Sequence, residues 1–180
     1  TLEDESIIVS IDATDVDGDQ LIFWTNDADN AEIEFDQNQI IVTPDLHWNG
    51  ELNFLLSVTD GEYIDSQTMS IDVIPVNDNP VLSMIQDQVI NEDNPFVYNL
   101  EALDVDGDEL SFSLEEISNA TFTLVNNLIT ILPNQDFNGG IEIGVSVSDG
   151  QLSDTTMFNL DVVPVNDPPT LEDISDQEID

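Results

Sequence analysis

Apolar and polar residues alternate along most of this chain with a period of two. Phe96, Tyr98, Leu100 and Ala102 alternate with Val97, Asn99 and Glu101, and Ile7, Val9, Ile11 and Ala13 alternate with Ile8, Ser10 and Asp12. A period of two sends successive side chains to opposite faces, so each run predicts a strand with one face in a core. The pattern returns in Leu52, Phe54, Leu56 and Val58 and in Ile141, Ile143, Val145 and Val147. It closes with Met69, Ile71 and Val73 and with Phe158, Leu160 and Val162. Asp-Gly, Asn-Gly and Pro signals separate the runs, and no stretch has helical periodicity. About seven short strands per ~90 residues predict an all-β chain of Greek-key sandwiches.

The number of sandwiches follows from an internal repeat. Asp15-Val16-Asp17-Gly18-Asp19 recurs as Asp104-Val105-Asp106-Gly107-Asp108, an offset of 89 residues. Pro75-Val76-Asn77-Asp78 recurs as Pro164-Val165-Asn166-Asp167 at the same offset. Residues 1–80 laid on 90–169 give 29 identities in 80 positions without a gap. The reading is two tandem sandwiches: residues 1–80, lacking a first strand and ending in a linker, and residues 81–169. Residues 170–180 predict the opening strand of a third repeat, because Leu171, Asp176 and Gln177 repeat Leu82, Asp87 and Gln88. An unpaired edge on the first repeat and a spare strand at the other end are expected to be able to pair between molecules.

Composition changes the picture. The 180 residues contain 40 acidic side chains, one histidine, and neither lysine nor arginine, for a formal net charge of −40. Nucleic-acid binding needs cationic contacts to phosphate, and attraction to anionic lipid needs the same side chains. A P-loop is excluded for want of its lysine. With no cysteine, disulfides and thiolate zinc sites are excluded. No apolar run approaches the ~20 residues of a membrane-spanning helix, so no membrane insertion of this segment is expected. An apolar fraction of 40%, spread along the chain, nevertheless argues for folding and not disorder. The carboxylates of a folded chain then need cations from outside.

The Asp-Val-Asp-Gly-Asp loops set three carboxylates close together. Unpaired, such groups repel and raise one another's pKa; a hard divalent cation relieves them, and calcium accepts 6–8 oxygen ligands in irregular geometry. The plain alternative for one loop is a solvated acidic turn, but two copies in register without any Lys or Arg favour calcium. An EF-hand is excluded: it needs Gly at position 6, where these loops have Gln20 and Glu109, and Glu at position 12, where Asn26 stands in the first. The residues after each loop also alternate as a strand.

Ile90-Asn91-Glu92-Asp93-Asn94-Pro95, a strand, and Ala102-Leu103-Asp104-Val105-Asp106 resemble the opening of a cadherin repeat. Val147-Ser148-Asp149-Gly150 resembles the family's later Asp-Gly loop, and residues 75–80 its Asn-Asp-Asn-x-Pro linker. With the Asp-Gly-Asp extension and the Phe/Trp-Asn-Gly element, the chain is most similar to bacterial cadherin-like tandem repeats of large surface or secreted adhesins. The resemblance covers essentially all 180 residues. It implies calcium at the junctions of successive repeats. For the central junction it implies Glu3, Asn77, Asp78 and Asn79, then Asp104, Asp106 and Asp149. For the flanking half-sites it implies Asp15, Asp17 and Asp60 on one side and Glu92, Asn166 and Asp167 on the other. Asp19 and Asp108 have no counterpart in the family and are expected to complete the sites. The family's Asp-Arg-Glu motif has no match (Asp45 is nearest, with Asn134 in the second repeat), which implies fewer ions per junction.

His47 has no nucleophile arrangement and aligns with Asp136, so it is expected to be a loop residue. Trp48 aligns with Phe137 and is expected in the core; Trp24, out of phase with Leu21 and Phe23, is expected outside. Carboxylate pairs suit a glycosidase, but an active site would break the repeat, and none of the acids does. The expectation is therefore a non-enzymatic, calcium-binding, extracellular or cell-surface repeat module of an adhesin. Its partners would be calcium, neighbouring repeats and, in adhesion, a second copy or a cell-surface glycan. The alternative is a carbohydrate-binding module that uses Trp24.

Overall fold

The computed structural model describes residues 1–26 and 28–171. It divides into two compact units, Thr1–Asn77 and Asp78–Asp180. The predicted opening strand at 170–180 lies almost wholly outside the described residues. No helix occurs among the described residues, and both units are β-sandwiches.

Unit 1 has six strands: β1 (Ile7–Ser10), β2 (Ile22–Thr25), β3 (Ala31–Asp36), β4 (Gln39–Pro44), β5 (Gly50–Thr59) and β6 (Ile64–Val73). One sheet has the order β1-β4-β3 and the other β2-β5-β6, all antiparallel. The chain crosses between sheets after β1, so β1 pairs with β4 and not with its neighbour in sequence, as in a Greek key. The core is Ile40, Val42, Leu52, Phe54, Ile71 and Val73. Each pair is two residues apart on one strand, as the period-two pattern requires.

Unit 2 adds β7 (Val81–Leu82), β8 (Gln88–Asn91), β9 (Phe96–Asn99), β10 (Ala102–Leu103), β11 (Ser111–Leu114), β12 (Ala120–Val125), β13 (Leu128–Pro133), β14 (Gly139–Ser148) and β15 (Ser153–Val163). Its sheets run β12-β13-β9 and β11-β14-β15-β8, with a short β10-β7 pair. Six of these strands begin 89 residues after β1 to β6. β7, β8 and β10 have no equivalent strand among the described residues of unit 1, where a single parallel bridge, Leu2 to Ile74, continues the edge of β6.

Backbone conformation obeys the same offset. Asp4, Asn30, Gln37 and His47 have positive φ, and so do Asp93, Asn119, Asn126 and Asp136. Most are Asn or Asp, the non-glycine residues that tolerate the left-handed region best. In the Trp/Phe-Asn-Gly elements, Gly50 (φ 138°) and Gly139 (φ 131°) lie under the rings of Trp48 and Phe137. Both rings pack on their units' cores, as the sequence predicts for Trp48.

Candidate metal centre

The chain between β10 and β11 of unit 2 forms the second Asp-Val-Asp-Gly-Asp loop. Asp104 folds the loop over itself by accepting the Asp108 N–H at 3.3 Å on Oδ1. Its other oxygen, Oδ2, is shut off from solvent and has no hydrogen-bond partner. Asp104, Asp106 and Asp108 bring carboxylate oxygens within 4.8 Å of one another. Asp106 also accepts the N–H of Asp78 at 2.8 Å, which ties the start of the unit to the loop.

A buried carboxylate oxygen without a donor is costly, and nearby like charges add to the cost. The chain offers no Lys or Arg to relieve it. The donor set, all hard oxygen, fits a hard divalent ion such as calcium. In unit 1, Asp15 accepts the N–H groups of Asp17 and Asp19 at 2.8 and 3.0 Å. Among the described residues, Asp15, Asp17 and Asp19 do not converge as the second loop does.

The later Asp-Gly turns are alike in both units. Asp149 Oδ1 accepts the N–H of Gln151 and of Leu152, both at 2.6 Å. Asp60 Oδ1 accepts those of Glu62 and Tyr63 at 2.7 Å. These backbone donors, Tyr63 first, hold the Asp60 carboxyl below the usual carboxylate range.

The acids of the opposite end collect around a buried glutamate. Glu92, 5% exposed, accepts the Val165 N–H at 2.6 Å while its own N–H bonds the Val163 carbonyl. Glu3, 3% exposed, makes the equivalent bonds to Val76 and Ile74 and accepts Asn49 Nδ2 at 3.3 Å. Each glutamate thus clamps the start of its sandwich to the chain leaving it. In unit 2, Asp93, Asp136 and Asp167 gather within 4.8 Å beside this clamp. Desolvation, and then the charges of Asp136, Glu92 and Asp93, push the Asp167 carboxyl up. Asn166 turns its amide to the Asp167 carbonyl at 3.1 Å. Asn77 and Asp78 are half-buried and Asn79 is exposed.

Asp93 and Asp136 are the acids that sequence reasoning missed. Asp136 N–H donates to Asp93 Oδ1 at 3.2 Å, and His47 N–H to Asp4 Oδ1 at 2.8 Å. The His47 ring also faces Asp4, with Nδ1 3.5 Å from Oδ2. His47 is therefore a loop residue, as expected, but one aimed at an acid. The family's Asp-Arg-Glu motif had no match in this loop, with Asp45 and Asn134 nearest; the acid that lies beside Asp93 and Asp167 is Asp136, two residues further on. Its signal was present as Asp136 in Asp-Phe-Asn-Gly, hidden because the first repeat has histidine there. Trp24 stands on the outer face of the edge strand β2, 37% exposed, as its phase predicts.

The sheet order of the two units is that of cadherin/Ig-like β-sandwiches. Residues 76–163 match the cadherin-like domain family, and residues 1–72 match the bacterial Ig domain family. No curated protein matches the chain in sequence. Among solved structures, human protocadherin-24 EC1-2 is similar with a TM-score of 0.53 at 15% identity, over 89% of this chain and 88% of that one. The endo-fucoidan hydrolase MfFcnA4 of glycoside hydrolase family 107 aligns with a TM-score of 0.42 at 19% identity. That alignment covers 92% of this chain, which spans 27% of the hydrolase's length. At 15% identity the likeness to protocadherin-24 is one of fold.

Proposed function

We propose that this chain is a calcium-binding, extracellular repeat module of an adhesion-type protein, structural and not enzymatic, in which calcium stiffens successive repeats into a rod. The observation that carries the reading is the buried, unpartnered Asp104 Oδ2 in a loop with two further carboxylates. Asp104, Asp106 and Asp108 are the first ligands assigned, with Asp149 beside them as the resemblance implies. Glu92, Asn166 and Asp167 form the other set, now joined by Asp93 and Asp136. By the 89-residue offset, Asp15, Asp17, Asp19 and Asp60, and Glu3, Asn77 and Asp78, are the corresponding groups of the first repeat and the linker, and the resemblance adds Asn79.

A bound calcium ion supplies positive charge that the sequence lacks. The residues themselves do the remaining work. Asp104 and Asp149 order their loops by accepting backbone N–H groups, and Glu92 and Glu3 hold the departing chain against the end of the sandwich. Sites of this kind in extracellular modules bind calcium at about 10⁻⁴ to 10⁻³ M, suited to a calcium-rich exterior.

The test is a thermal melt in millimolar calcium, in magnesium at matched ionic strength, and in chelator. The expected result is a large upward shift of the midpoint with calcium and a small one with magnesium. Equal shifts with both ions would mean charge screening alone and would remove the basis of the proposal.

A further inference from the structure

Acidic residues are spread so evenly along this chain that neighbouring acids enclose at most 8 other residues, with one exception. From Ile117 to Gln135, 19 residues pass without an acid. The same stretch of the first repeat, Ala28 to Leu46 at the 89-residue offset, holds Asp29, Glu32, Glu34, Asp36 and Asp45. The acid-free stretch folds into β12 and β13, and β12 is the last strand of its sheet. Among the described residues, one side of β12 pairs with β13 and no strand lies along the other.

The strand register fixes which side chains face outward at each edge. In β12, Phe122 and Leu124 oppose the buried Ile131 and Ile129, so Thr121, Thr123 and Val125 stand on the outer face. In β3, the last strand of its own sheet, Ile33 and Phe35 oppose the buried Val42 and Ile40, so Glu32, Glu34 and Asp36 stand outside. Charged side chains on an edge strand keep a second strand from adding to it. The first repeat has that guard at three successive outer positions, and the second has two threonines and a valine in the same places. Threonine and valine favour strands, and the β12 edge also shows apolar surface to water, with Val125 64% and Phe122 38% exposed. A cationic partner finds carboxylates over the rest of the surface and has no use for an uncharged edge. A second copy, itself at −40, is repelled least where the acids are missing.

We propose that the outer edge of β12 is a contact between two copies of this chain, β12 lying antiparallel to β12 about a two-fold axis at Thr123. The two three-stranded sheets then run on as one. In this register Thr123 meets its own copy, Thr121 meets Val125 and Phe122 meets Leu124, so the exposed apolar residues gain cross-strand neighbours. The same register in β3 would set Glu34 against itself and Glu32 against Asp36, and like charges directly opposite are destabilising. The contact is therefore confined to unit 2. Because each partner offers the same patch, it closes at two copies.

Sedimentation of the full 180-residue chain tests this, with chelator present so that calcium bridging plays no part. The mass should rise with concentration to twice that of the monomer and stop there. Raising sodium chloride from about 0.15 M to about 1 M shortens the reach of the charges from ~8 Å to ~3 Å, so the concentration at half-dimerisation should fall several-fold. The triple variant Thr121→Glu, Thr123→Glu, Val125→Asp gives β12 the residues that β3 carries, and should stay monomeric with its circular dichroism unchanged. As the chain has no cysteine, Thr123→Cys should oxidise to a disulfide-linked dimer, while Glu34→Cys, at the counterpart position of the first repeat, should not. The two cysteine variants decide the matter even where the triple variant fails to fold. A chain that is monomeric at every concentration and at both salt levels overturns the proposal, as does a dimer that survives the folded triple variant. Equal cross-linking in Thr123→Cys and Glu34→Cys, or growth beyond two copies, overturns it as well.

Discussion

Asp104 keeps one carboxylate oxygen away from water with no donor to meet it, in a chain without lysine or arginine. Removing that charge has opposite consequences with and without calcium. In chelator, Asp104→Asn relieves repulsion among Asp104, Asp106 and Asp108, so the midpoint should stay or rise. In calcium the same variant has lost a charged ligand, and affinity measured by titration calorimetry should fall by about tenfold or more. Acid titration separates two further carboxylates. The Asp167 carboxyl is raised, so its contribution to stability is present below the ordinary value of 3.8 and is lost as pH rises through its folded value. Asp60 is lowered, so its contribution is present above 3.8 and is lost as pH falls through its folded value. Denaturant unfolding at neutral pH in chelator should therefore find Asp167→Asn stabilised and Asp60→Asn destabilised. The reverse order would contradict the geometry of both turns.

At the scale of elements, alternation was enough to place strands because each sheet has one face in a core, and a slip of one residue would turn every side chain over. Ile141, Ile143, Val145 and Val147 on β14, and Phe158, Leu160 and Val162 on β15, are buried as the pattern requires. Turns were legible where glycine is needed. Gly50 has φ 138° with the Trp48 ring 3.3 Å from where a Cβ would stand, so Gly50→Ala meets both strain and a crowded ring. Its expected cost is about 1–3 kcal/mol, read as a lower denaturant midpoint with unchanged slope. Gly61→Ala has the strain but open space around it, and should cost less. The acidic end around Asp93, Asp136 and Asp167 was less legible. Its members come from the turn before β9, the turn before β14 and the chain after β15, and sequence spacing does not show that three such turns share one end.

For the whole molecule, a charge of −40 on 180 residues opposes compaction at any distance within the reach of the ionic atmosphere. In the calcium melt, a sodium chloride arm should therefore also raise the midpoint above that in chelator at low salt. Calcium at matched ionic strength should raise it well beyond, since screening relieves all carboxylates a little and a ligand set relieves a few completely. The sequence alone determined the strand class, the 89-residue repeat, the loops in which carboxylates concentrate and the absence of internal cations, because these depend on local alternation and on counting. Only the tertiary structure decided that Asp104 Oδ2 is left without a donor and that Asp136, not Asp45 or Asn134, closes the far end beside Glu92. It alone also buried Glu92 and Glu3 against the chain that leaves each sandwich. Those are facts of burial and convergence, fixed by which strands lie side by side, and no stretch of sequence carries them until the sheets have packed.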